Sequence, residues 1–244
     1  MVEDDQGAGT VAVFGASGGI GGAMVDALIT RGVHKVYAGA RELHPSRSGA
    51  VVPFRFDLLE EASIAAAADA MRAAPPRIVI VATGVLSPTG STGPEKSARA
   101  IEADAMARMF AINAIGPALI FKHFSAIMPR KPGAKFIALS ARVGSIADNR
   151  LGGWHSYRAS KAALNMLIRN FAIEFARTHP DGVVAGIHPG TVNTALSRPF
   201  QANLPDGQLQ GPATAVQRIL TVIDSLKPAH SGHVFDWQGE RIEP

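Results

Sequence analysis

"TVAVFGASGGIGGAMVDALITRG", residues 10–32, decides how the whole chain must be read. TVAVF is a short apolar run of strand-forming type, residues 15–21 are rich in glycine, and residues 20–32 show apolar positions at helical spacing as far as Gly32. A strand that enters a helix through glycine lets the backbone turn tightly and lets a pyrophosphate come close to it. The helix start then supplies N–H groups and the positive end of the dipole. Glycine can also do no more than punctuate a turn, so the order of the remaining elements has to settle the matter.

Outward from this stretch, strand and helix patterns alternate to the end of the chain. Apolar runs at KVYAGA (35–40), VVPFRF (51–56), RIVIVA (77–82), AKFIALS (134–140), GVVAGI (182–187) and HVFDW (233–237) read as strands, the second of these six weakened by Pro53. Helical patterns cover 60–74, 97–128 with a break near residues 113–117, 156–178 and 212–226. Such alternation implies βαβ units with right-handed crossovers and a largely parallel sheet. No repeat or linker divides the 244 residues, a length that one α/β domain can fill with its own core. The expected fold is a single doubly wound, Rossmann-type α/β domain over residues 1–244, with about seven strands and helices on both faces.

Composition narrows the function. With 47% apolar and 18% charged residues the chain reads as globular, and the absence of cysteine excludes disulfides, zinc thiolates and iron–sulfur ligation. The net charge is +4, but basic residues stand singly, as at Arg41, Arg47, Arg55 and Arg72, which argues against a nucleic-acid partner. MVEDDQGAGT (1–10) has neither a basic nor an apolar stretch, so no leader peptide is expected. No strongly apolar, uncharged run of roughly 18 or more residues is seen, so the expectation is a cytoplasmic protein without a membrane span.

The spacing of Gly15, Gly19 and Gly21, Gly-x-x-x-Gly-x-Gly, departs from G-x-G-x-x-G and resembles the fingerprint of the short-chain dehydrogenase/reductase family. SYRASKAAL (156–164) closely resembles that family's active-site motif, and the resemblance runs from residue 10 to about 240. PEKS (94–97), SARVGSIADNRLGGW (140–154) and GHVFDWQGERI (232–242) are most similar to its C-factor-like branch. The resemblance implies that the turn holding Gly15, Ser17, Gly18, Gly19, Ile20 and Gly21 binds a nicotinamide dinucleotide. Ala40 stands where NAD-preferring members resemble one another in carrying aspartate, and Arg41 follows it. An arginine there suits a 2′-phosphate through a charge-assisted fork, which favours NADP(H) over NAD(H), although an ordinary solvated arginine is the rival reading. By the same resemblance Asp57, with Leu58 beside it, meets the adenine, or Asp57 merely caps the helix that follows. VATGV (81–85) keeps only Gly84 of the family's Asn-Asn-Ala-Gly segment. HPGTVNT (188–194) is similar to its Pro-Gly segment, with Pro189, Gly190, Thr191, Val192 and Thr194 near the nicotinamide, or a plain turn with a helix cap.

Tyr157 and Lys161, four apart, share one face of a helix. An ammonium beside a phenol, helped by an oxidised nicotinamide, favours phenolate and lowers the phenol from its usual value near ~10. The tyrosine can then give a proton to a carbonyl oxygen, or take one from an alcohol. Asn113, by resemblance, kinks its helix and holds a water that links Lys161 to solvent, while a purely structural amide is the competitor. The family's pattern is Ser-Ser-x-x-Gly, with the second serine binding the substrate oxygen. Aligned on Gly144, that place is Ala141, so the role falls to Ser140 by a re-aimed strand end, to Ser145, or to neither; Ser140 is preferred.

The loop over 191–211 is the expected substrate lid, with Leu196, Phe200, Leu204 and Trp154 either an apolar wall or core. His155 and His188 read as surface or turn residues, and no metal-ligand set is visible. The expected function is an NADPH-dependent oxidoreductase acting between a small-molecule carbonyl and an alcohol, assembled as a homodimer or homotetramer through the apolar helix ALNMLIRNFAIEF. The alternative is a nucleotide-binding signalling or redox-sensing protein with incidental turnover. A basic nucleic-acid-binding module would need cofactor-independent, salt-sensitive binding.

Overall fold

Val11 and Val13 face one side of the first strand and Ala12 and Phe14 the other, and all four are buried. A strand covered on both sides needs two helical layers, and the computed structural model has them. It describes residues 9–43, 48–87, 93–131, 133–205 and 207–244; most of the 1–10 stretch and part of the loop between Gly84 and Pro94 lie outside the described residues.

In chain order the elements are β1 (Thr10–Phe14), α1 (Gly19–Thr30), β2 (Lys35–Ala40), β3 (Val51–Arg55), α2 (Glu61–Ala70), β4 (Ile78–Val81), α3 (Ala103–Phe110), a π-helical turn (Ala111–Ile115), α4 (Gly116–Phe124), β5 (Lys135–Leu139), α5 (His155–Phe175), β6 (Val183–His188), β7 (Thr191–Val192), β8 (Leu209–Gln210), α6 (Pro212–Ser225), β9 (Val234–Asp236) and β10 (Arg241–Ile242). The main sheet runs β10-β9-β6-β5-β4-β1-β2-β3, with every pairing parallel except β10 against β9. It thus has eight strands rather than seven. The extra strand, β10, is two residues long and pairs only along its neighbour, so its sequence carries no periodicity that could reveal it.

Pro53 lies in β3, and β3 is the sheet edge, where a missing N–H costs no ladder bond. On one face α2, α4 and α5 bury Ile64, Phe124 and Ile168 against Ala12, Phe14, Val79 and Phe136. On the other, α1 and α6 bury Met24, Leu28, Ile219 and Leu220 against Val11, Val13, Ile80 and Ile137. The helical stretch 103–124 reaches the length and mean hydropathy of a membrane span, but Asp104, Arg108 and Lys122 interrupt it, so it is not the uncharged run that a span needs. One side of it, with Met109, Ile120, Phe121 and Phe124, is buried against the rest of the fold.

The order 3-2-1-4 reverses direction beside β1. The C-terminal ends of β1 and β4 therefore open a crevice at the topological switch point, where ligands bind in open α/β sheets.

Candidate active site

The glycine turn lies at one end of that crevice. Gly15 has φ of +94°, a region only glycine occupies freely, and a Cβ on Gly21 would run into the Gly15 carbonyl. The Gly15 and Ala16 N–H groups donate to Gly39 O at 3.0 and 2.8 Å, which pins the turn to β2. Ser17, Gly18 and Gly19 are exposed, no side chain caps α1, and its first turn carries no acid. Its leading N–H groups and dipole end are therefore free to meet an anion. Close by, a Cβ on Gly19 would come within 2.6 Å of Thr194 Cγ2, so this turn and the segment after β6 wall the same space.

Around it is a cleft of about 610 Å³. Its inner wall includes Ile20, Gly84, Lys161, Pro189, Gly190, Thr191, Val192 and Thr194, and Tyr157 and Ser140 stand on the same wall. Arg41, Asp57 and Leu58 lie outside it, just past the C-terminal ends of β2 and β3, where the far half of a dinucleotide laid across the switch point would reach. Arg41 is exposed just after β2. Asp57 Oδ1 accepts the Leu59 N–H at 2.9 Å, so its carboxylate shapes the turn into α2, and Leu58 packs on Gly116.

Tyr157 and Lys161 both project from the first two turns of α5 and are 8% and 4% exposed. Lys161 Nζ donates to Leu139 O at 2.8 Å and lies 6.0 Å from the centre of the Tyr157 ring. Burial pushes the phenol up to about 12 and the ammonium down to about 8. The sequence points instead to a lowered phenol. In this state the desolvation of both groups outweighs their mutual attraction, because the ammonium is turned onto the β5 carbonyl.

Asn113 sits in the π-helical turn with none of its surface exposed. Its Nδ2 donates to Val85 O at 2.9 Å and Ser160 Oγ at 3.1 Å, while Oδ1 accepts the Val85 N–H at 2.9 Å. The amide thus holds the chain after β4 against α5. A Cβ on Gly84 would lie 3.3 Å from Asn113 Oδ1 and 3.6 Å from Lys161 Nζ, so glycine lets these three meet. Gly144 is fixed in the same way, since its Cβ would lie 2.8 Å from the Lys161 Cβ.

Both candidate serines have hydrogen-bond partners outside the Tyr157–Lys161 pair. Ser140 Oγ donates to Asn165 Oδ1 at 2.6 Å, one helical turn past Lys161. Ser145 Oγ accepts the Asp148 N–H at 3.0 Å and is not on the cleft wall. Ala141 packs with Tyr157, Leu86 and Met109, which places a methyl group where the second serine of the family pattern would stand. Ser140 lines the cleft with its hydroxyl held by Asn165.

The outer wall carries Leu196, Phe200, Leu204 and Trp154, so all four apolar candidates do line the cleft. Trp154 is left-handed, with φ of +52°, and its ring lies 5.0 Å from Phe200 and 6.3 Å from Tyr157. The Trp154 N–H donates to Glu95 O at 2.6 Å, and the Glu95 carboxylate accepts from Ser156 Oγ and its N–H. PEKS therefore anchors the start of the helix that carries Tyr157, a role that no local spacing could have announced. His188 is also on the wall, its Nδ1 buried without a partner among the described residues. Burial, then the nearby Arg142, pushes it down to about 4, so it is neutral at ordinary pH. Sequence reasoning sets His188 aside and does not find Arg142, Arg150 and Arg158, which also reach the cleft. No group of three or more metal-ligating side chains occurs among the described residues.

An exposed glycine turn, a free helix start and a threonine-lined segment after β6 fit a nicotinamide dinucleotide. The comparisons agree. Residues 9–205 match the model of the short chain dehydrogenase family, and the chain belongs to that family. It is an oxidoreductase of short-chain type. It is 40% identical to C-signal of Myxococcus xanthus over 141 residues, 56% of this chain and 77% of that protein. It is 37% identical to 1-hydroxy-2-glutathionyl-2-methyl-3-butene dehydrogenase of Rhodococcus sp. (strain AD45) over 134 residues, 54% of this chain. The match spans only about half, 55%, of that dehydrogenase's own length. Among solved structures, the NADPH-bound carbonyl reductase from chicken fatty liver superposes with a TM-score of 0.83 at 25% identity, covering 97% of this chain and 94% of that one. A short-chain dehydrogenase/reductase from Burkholderia multivorans with bound NADP gives 0.79 at 25% identity, covering 97% of this chain and 100% of that one.

Proposed function

We propose that the protein is an NADP(H)-dependent carbonyl reductase, or the corresponding alcohol dehydrogenase, acting on a small molecule. The observation that carries this is the Tyr157 phenol, kept protonated by burial on the wall of a cleft that leads back to the glycine turn. When bound, a nicotinamide supplies or takes up the hydride. Tyr157 donates its proton to the carbonyl oxygen in reduction and recovers it from solvent. Lys161 stands one turn deeper, its charge stabilising the negative oxygen left on Tyr157. Gly84 and Asn113 keep the backbone close around that ammonium, and Ser140 acts as a positioning residue through Asn165.

The glycine turn with Ile20, and the 189–194 segment, are assigned to the cofactor. NADP(H) is preferred because Arg41 is exposed beside Ala40 at the end of β2, where a bidentate fork can meet a 2′-phosphate. NADPH bound to the chicken carbonyl reductase and NADP to the Burkholderia protein support the same choice. Asp57 and Leu58 take the adenine side. Segment 191–211 serves as the substrate lid, with Leu196, Phe200 and Leu204 on its inner surface. Self-association falls to the exposed Met166 and Ile173 of α5, which light scattering would detect. A cytoplasmic location accords with the absence of cysteine.

The test is consumption of NADPH by the purified protein over a panel of aldehydes, ketones and diketones, beside Tyr157→Phe. Turnover in the wild type that drops by about 10² or more in the variant supports the reading. Saturable NADPH binding with no turnover of any carbonyl would count against it.

A further inference from the structure

Beyond Tyr157 the cleft carries charge that proton transfer does not use. Arg142, Arg150 and Arg158 line it, and Asp148 is the one carboxylate on its wall among the described residues. Arg142 is already engaged, with Nη2 3.0 Å from Asp236 Oδ2 and Nη1 3.6 Å from Asp148 Oδ2. Arg158 is not. Its Nη1 makes only a long bond, 3.3 Å, to Val143 O, and its Nε is buried with no hydrogen-bond partner among the described residues.

Three physical points say what this guanidinium lacks. It cannot lose its proton, and its donors are arranged as a planar fork that matches a carboxylate. The Nε is sealed from solvent, so an incoming acceptor meets the fork at its Nη2 end, which makes no hydrogen bond among the described residues. Arg158 also lies in the first turn of α5, where a positive charge adds to the positive end of the helix dipole. The Glu95 carboxylate at this helix end offsets part of that field, but its oxygens are engaged by Ser156. Arg150 stands at the exposed rim and pairs with no carboxylate among the described residues. The same cleft is lined by the apolar side chains of Val143, Leu151 and Trp154.

We propose that the substrate is a carbonyl compound carrying a carboxylate, joined to the carbonyl by an apolar spacer and gripped by Arg158 with Arg150. The proposal rests on the reductase reading above and adds a specificity-determining pair to it. The carboxylate meets the fork while the carbonyl oxygen lies against the Tyr157 phenol, and the spacer covers Leu151 and Trp154.

The experiment uses two matched probe pairs. 4-Carboxybenzaldehyde and methyl 4-formylbenzoate differ in charge at the far end and are compared by kcat/KM. 4-(Hydroxymethyl)benzoate and its methyl ester are compared by calorimetry, which reads the grip without turnover. The acid is expected to be favoured at least about tenfold in both measurements, the size of one charge-assisted hydrogen bond, and less so as salt is raised. Arg158→Gln and Arg150→Ala should each narrow the acid-to-ester ratio; the second lies on the exposed rim and spares the fold if the first does not. Equal binding of the two benzoates by the wild type, or a ratio untouched by both variants, overturns the proposal. Ester reduced as fast as acid leaves the reductase reading standing and sinks this one alone. Acid-selective binding without reduction of any carbonyl sinks the reductase reading, and with it the carbonyl part of this proposal, leaving only the carboxylate grip.

Discussion

The Lys161 ammonium donates to the main-chain carbonyl of Leu139 at 2.8 Å, at the end of the strand next to the one that opens the crevice. This bond holds a buried cation one turn below the Tyr157 phenol. It also sets how the site should respond to pH.

Burial lowers Lys161 from its ordinary 10.5 to about 8 and raises Tyr157 to about 12. Reduction needs a protonated phenol, which is present throughout, and a charged lysine, which is lost as pH rises through about 8. The kcat/KM for carbonyl reduction should therefore be flat near neutrality and fall above pH about 8. A profile that stays level to pH 10 would contradict this assignment of the lysine.

Lys161→Met should abolish most activity and yet stabilise the fold. Because the folded-state value is depressed, the buried charge costs stability at pH values below about 8, and that cost disappears toward the ordinary 10.5. At pH 7 a thioether of similar length removes the cost at the expense of one hydrogen bond, and the melting temperature should rise by about 2–4 °C. The gain should shrink as pH is raised from 8 to 10. Calorimetric melting at both ends of that range checks the sign.

Ala141→Ser returns a hydroxyl to the place beside Tyr157 that the methyl now fills. The added donor polarises the substrate carbonyl, and kcat should rise by about tenfold, less than the ~10²–10³ range for a preorganised oxyanion donor. Ser140→Ala should instead leave kcat within about threefold and cost about 1 kcal/mol of stability, since its hydroxyl serves Asn165. Rate loss in Ser140→Ala without loss of stability would restore Ser140 to direct contact with substrate.

Arg41→Ala should weaken NADPH binding by about tenfold or more while leaving NADH binding nearly unchanged, as expected for one charge-assisted contact to the 2′-phosphate. Fluorescence titration with both nucleotides reads the ratio. Equal loss for the two would mean that Arg41 is an ordinary surface residue.

Glu95→Gln should loosen the start of α5, because an ionised carboxylate at a helix N-terminus bonds the leading N–H and opposes the dipole. A fall of about 2–4 °C in melting temperature is expected. It should come with a reduced kcat, since Tyr157 follows in the same turn. Unchanged melting would show that Ser156 finds an equal partner elsewhere.

Residues close in sequence, and patterns with a fixed period, are legible in the amino-acid sequence by itself. The glycine turn, the seven parallel strands and the Tyr157–Lys161 pair belong to that class, because strand alternation, helix spacing and the four-residue offset are set by local backbone geometry. Other features depend on which distant segments the fold brings together. Asn165 taking the Ser140 hydroxyl, Asn113 bonding Val85, Glu95 seizing the start of α5, and three arginines lining the cleft that holds Tyr157 are contacts between parts of the chain 15 to 94 residues apart or meetings at one cleft. Periodicity says nothing of such pairings. The direction in which the phenol shifts escapes the sequence for the same reason: desolvation is a property of the packed interior, and only tertiary structure decides how much water a side chain loses.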